Sequence, residues 1–153
     1  MKSKLFIFFI LIIVLTACQP ATPLPPILIA ETAEFTLAPD QTGTLVSAGL
    51  YVRLIGVASD ERCPSEIECA VSGPVSISLA VKIGNGEESQ INLQTFTDNN
   101  GRAPFMQFEG IEDRVVYEGY TFQVTSVLPY PVNLTNPIKD SEYRVTLIVN
   151  RQQ

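Results

Sequence analysis

The stretch Val75-Ser76-Ile77-Ser78-Leu79-Ala80-Val81-Lys82-Ile83 alternates strictly between apolar residues and small or polar ones. Successive side chains of a strand point to opposite faces, so this spacing puts five apolar residues on one face. A helix would scatter the same residues around its circumference. The pattern predicts a half-buried strand in an antiparallel sheet. Gly84-Asn85-Gly86 follows and offers the positive backbone dihedrals of a tight hairpin. The return strand then sets Ile91, Leu93 and Thr95 against Gln90, Asn92 and Gln94.

The same period recurs along the chain. Phe35 and Leu37 begin it, and a Pro39-Asp40 turn follows. Leu50, Val52 and Leu54 alternate with Tyr51 and Arg53. Tyr120, Phe122 and Val124 alternate with Thr121, Gln123 and Thr125, running on to Leu128, where Pro129-Tyr130-Pro131 ends the run. Tyr143, Val145, Leu147 and Val149 form the last strand. Weaker candidates are 41–45, 105–108 and 115–117. Seven to nine short strands with Gly, Pro or Asn punctuation predict an all-β, antiparallel β-sandwich of immunoglobulin-like architecture. A small closed β-barrel is the alternative. The chain lacks the Cys-Trp-Cys pattern of a true immunoglobulin domain.

The N-terminal residues form an address. Lys2 and Lys4 precede an apolar run from Leu5 to Leu15, shorter than the roughly 20 residues a bilayer span requires. That combination predicts a signal peptide over residues 1–17. Leu15-Thr16-Ala17-Cys18 resembles a bacterial lipobox. The resemblance implies cleavage before Cys18 and attachment of diacylglycerol to its sulfur, so that the membrane is a partner through the lipid. Stable anchoring takes more than one acyl chain, which a diacylglyceryl group supplies. Residues 18–30 are expected to be a tether, because Pro20, Pro23, Pro25 and Pro26 favour extended polyproline II. The folded domain is expected over 31–153. Its address is the cell membrane or the outer membrane, with the domain on the extracytoplasmic side.

Losing Lys2 and Lys4 from 10 basic residues leaves 8 against 16 acidic ones, a formal charge of −8. Such a chain is repelled by phosphate backbones, which argues against nucleic acid as a partner. The chain has no histidine. That excludes Ser-His-Asp and Cys-His nucleophilic sites and His-ligated zinc. No cofactor motif is present.

Export into an oxidising space predicts a disulfide between Cys63 and Cys69. The bridge closes a small ring, for which chain entropy gives about 2.4 kcal/mol. The surrounding stretch carries Asp60, Glu61, Glu66 and Glu68 against Arg62. These five residues form the candidate contact surface. The alternatives are a solvated loop and a calcium site, although the spacing matches no dedicated calcium motif.

Asp60-x-Arg62-Cys63-Pro64, with Cys69 and Gly73 ahead of an alternating strand, resembles a segment of an uncharacterised group of exported bacterial proteins, many of them lipoproteins. Gly119-Tyr120, Pro129-Tyr130-Pro131 and Tyr143-Arg144-Val145 are similar to the group's C-terminal portion. This chain departs at Glu61, where Ser is usual, and lacks an aromatic residue between Cys69 and Gly73, a place Val71 would fill more weakly. The resemblance implies a β-rich secreted domain and implies no activity.

Other candidates are weaker. Asp98-Asn99-Asn100-Gly101 fits a plain turn better than a calcium loop. Tyr117, Tyr120, Tyr130 and Tyr143 suit half-buried strands as well as a binding face. Glu109, Glu112, Asp113 and Glu118 could supply a carboxylate pair. The functional expectation is a non-enzymatic, lipid-anchored binding or envelope-interaction module, with an envelope protein or small ligand as partner. A carboxylate-dependent hydrolase and a calcium-stabilised structural domain are the alternatives.

Overall fold

The computed structural model describes residues 24–152. The signal peptide, Cys18 and the tether up to residue 23 lie outside the described residues. The described residues form nine strands: β1 (Ile27–Leu28), β2 (Glu34–Leu37), β3 (Thr42–Leu45), β4 (Leu50–Asp60), β5 (Val75–Ile83), β6 (Ser89–Thr95), β7 (Arg114–Tyr117), β8 (Tyr120–Leu128) and β9 (Arg144–Arg151). Two 3-10 turns lie at Val46–Ala48 and Asp140–Glu142. No helix among the described residues is long and apolar enough to cross a membrane.

The strands form a β-sandwich. One sheet has the order β1-β3-β4-β5-β6 and the other β2-β9-β8-β7. They are two separate sheets rather than a closed barrel. Alternation explains what lies between them. Leu50, Val52 and Leu54 of β4, and Val75, Ile77, Leu79 and Val81 of β5, share a common core with Phe122 and Val124 of β8 and Val145, Leu147 and Val149 of β9. All of these side chains are fully buried. A register shift between Val124 and Ser126 turns Val127 inward where strict alternation would have turned Ser126. That is how a bulge re-aims a side chain.

Residues 27–29, which the sequence places in the tether, join the sandwich. Ile27 and Leu28 pair parallel with Gly43 and Thr44 of β3, and Ile29 is buried. The apolar run after Pro26 finds the open edge of β3, and pairing there covers an unpaired strand edge. The 105–108 stretch is not a strand. Ala103 donates its N–H to the Thr125 carbonyl at 2.9 Å, and the chain then leaves β8, whose edge β7 occupies further along.

The connections divide sharply by end. At one end the turns are short: 46–49, 84–88 and 118–119. At the other end lie three long loops, 61–74, 96–113 and 129–143, together with the turn 38–41. We call this the loop end.

Candidate functional site

The loop end is built around Arg62. Asp60 closes β4, and Arg62 stands two residues on, so both side chains lie on the same side of the extended backbone. Arg62 grips Asp60 through Nε to Oδ1 at 2.7 Å and Nη2 to Oδ2 at 2.6 Å. This is the fork-to-fork geometry of a strong charge-assisted pair. The remaining donors reach the loop 129–143 and its approach. Nη1 donates to the Val127 carbonyl at 2.8 Å and Nη2 to the Pro129 carbonyl at 2.9 Å. Thr97 Oγ1, at the start of loop 96–113, stands 3.5 Å from Nη1. The Tyr130 ring lies under the guanidinium, with its centroid 5.0 Å away. The Arg62 side chain has no exposed surface.

Two tyrosines complete the clasp. The Tyr143 hydroxyl donates to Asp60 Oδ2 at 3.0 Å, and the Tyr130 hydroxyl donates to the Cys63 carbonyl at 2.8 Å. Burial alone would raise the Asp60 pKa, but the hydrogen bonds and charge of Arg62 outweigh it and hold the carboxyl below its ordinary value. The Tyr143 phenol is pushed up to about 12 by its own burial and by the Asp60 charge. The arrangement keeps Asp60 ionised and Tyr143 neutral. Neither group is poised to exchange a proton near neutral pH.

The cysteine loop is docked rather than free. Cys63 and Cys69 are bonded. Ser65 N–H donates to the Pro131 carbonyl and Glu66 N–H to the Val132 carbonyl, both at 3.0 Å. Asn133 Nδ2 donates to Glu66 Oε2 at 3.2 Å. The Cys63 N–H donates to Ser72 Oγ at 3.0 Å and closes the base of the loop. Gly73 lies against Glu61 so closely that a Cβ there would come within 2.6 Å of the Glu61 Cβ.

No family model, curated protein or solved structure matches this chain.

The five candidate contact residues separate. Glu61, Glu66 and Glu68 are exposed. Arg62 is buried and Asp60 is half-buried, which withdraws both from the surface. The reason is pairing: a guanidinium whose donors meet a carboxylate and carbonyls can leave water. Val71 does not pack the loop against the sheet; it is 82% exposed. Tyr120 and Tyr143 are buried, and Tyr117 and Tyr130 are half-buried. Asp98 Oδ1 accepts the N–H groups of Asn100 and Arg102, both at 2.9 Å, which makes a turn held by its own carboxylate. Asp113 is buried beside Arg114, whereas Glu109 and Glu112 are exposed and Glu118 lies at the opposite end. Among the described residues, no group of three or more His, Cys, Asp or Glu side chains stands close enough to hold a metal ion.

Sequence reasoning missed two uncharged loop tips. Phe105 and Met106 project from loop 96–113, fully exposed and 74% exposed respectively. Val132 and Leu134 project from loop 129–143. The signal was present as two runs without charge, Ala103 to Phe108 and Pro129 to Ile138.

Proposed function

We propose that the chain is a lipid-anchored extracytoplasmic binding module that makes its contacts through the loop end. The observation that carries this reading is the gathering of three long loops at one end of the sandwich, bound to one another through the buried Arg62. Loops held on a rigid scaffold are where binding residues concentrate. Such a surface is preorganised, and contact does not have to order it first. The lipobox-like Leu15 to Cys18 supports the anchor.

The test has two parts. Cys18→Ser should abolish palmitate labelling and leave unprocessed precursor; continued labelling refutes the anchor. In the anchored protein, Glu66→Lys with Glu68→Lys should weaken capture of a partner from envelope extracts. Unchanged capture refutes the cysteine loop as part of the contact surface.

A further inference from the structure

We propose that the loop end lies against the bilayer that holds the anchor, with Phe105 and Met106 seated in the lipid interface. The inference rests on the anchored reading above and adds the orientation and the partner, which is a lipid surface.

The direction of the chain sets which end faces the anchor. β3 runs antiparallel to β4, and β4 ends at the loop end. β1 runs parallel to β3 and therefore points away from the loop end. Residues before β1 accordingly lie on the loop-end side. Gln41 fixes the level at which the tether joins the fold. Its Nε2 donates to the Pro25 carbonyl at 3.0 Å, and its own carbonyl accepts the Leu54 N–H at 3.2 Å. From Leu54, β4 continues to Asp60 opposite Leu79 to Val75 of β5, and two bulges shorten the advance to about 13 Å. The stretch from Pro25 back to Cys18 spans at most about 25 Å when fully extended. A lipid on Cys18 thus stands no more than about 12 Å beyond the end of β4, which keeps the loop end facing the bilayer.

The tips at that end are apolar. Phe105 and Met106 are exposed, and the run from Ala103 to Phe108 carries no charge. Phe96 and Phe108 pack edge to face at the base of this tip, with centroids 5.1 Å apart. Val132 and Leu134 add a second uncharged tip at the same end. Apolar side chains at an interface sit about 5–10 Å into the boundary between headgroups and acyl chains. The formal charge of the chain disfavours anionic headgroups, so the contact is apolar and the fitting surface is zwitterionic lipid.

The chain contains no tryptophan, so a single introduced one reports its own surroundings. The full lipidated protein would be reconstituted in phosphatidylcholine vesicles, with and without brominated acyl chains, carrying either Phe105→Trp or Val46→Trp. Val46 is 72% exposed in the turn at the opposite end. The F105W probe should emit at shorter wavelength in vesicles and be quenched by the brominated lipid, while the V46W probe should show neither effect. An unquenched F105W probe on vesicle-bound protein overturns the orientation and leaves the anchor standing. Protein that carries no lipid and does not float with the vesicles overturns both. Phe105→Ser in the lipidated protein should leave flotation intact and increase protease access to loop 96–113; unchanged access overturns the contact.

Discussion

Arg62 shows how a charged residue in an acidic stretch becomes an interior one. Removing one partner of a buried, hydrogen-bonded pair leaves the other uncompensated, at a cost of about 3–5 kcal/mol. Arg62→Ala should therefore lose that much stability in urea denaturation. Glu68→Lys, at an exposed position, should change it by no more than about 0.5 kcal/mol. Equal losses for the two variants would contradict the clasp. The two titrating groups beside Arg62 set opposite pH limits. The folded pKa of Asp60 lies below its ordinary value of 3.8, so its contribution is present above that value and lost as pH falls through the folded pKa. The folded pKa of Tyr143 is raised from 10.0 to about 12, so its contribution is complete below 10.0 and lost as pH rises towards 12. The stability difference between the native chain and Tyr143→Phe should shrink across that alkaline window. Denaturant midpoints measured at several pH values would show it, and a constant difference would refute the assignment.

Loop 96–113 is held by its turn as well as by Arg62. Gly101 has a φ of +75°; its N–H donates to the Asp98 carbonyl, and its carbonyl accepts the Val127 N–H. A Cβ at this position would come within 2.5 Å of the Val127 carbonyl oxygen. Gly110 has a similar φ of +79° with nothing nearby. Gly110→Ala should cost about 1–2 kcal/mol for the left-handed conformation alone. Gly101→Ala should cost clearly more, as thermal melts of the two variants would show; equal melts would mean that the loop yields at no cost. These strands and loops also mark how far the sequence was legible. The alternation from Val75 to Ile83 coincides with β5 residue for residue, because a central strand with a buried face leaves little freedom. β1 was not legible, because a two-residue strand has no period and depends on an open edge elsewhere. The 105–108 stretch has strand-like composition, but it pairs with no strand edge. Arg62 was legible only as charge. That its donors find a carboxylate and two distant carbonyls belongs to tertiary structure.

Residues far apart along the chain meet in space at the loop end. Asp60, Arg62 and Cys63 from one half contact Pro129, Tyr130 and Tyr143 from the other. Those residues hold the loops of one end together. β9 runs from the loop end to the far end, where the Gln152 N–H donates to the Gly119 carbonyl at 2.8 Å. The chain thus enters the sandwich from the loop-end side and leaves β9 at the opposite end. A fluorescent reporter or affinity handle joined after β9 would stand clear of the loops, so the protein could be immobilised or imaged with its loop end unobstructed.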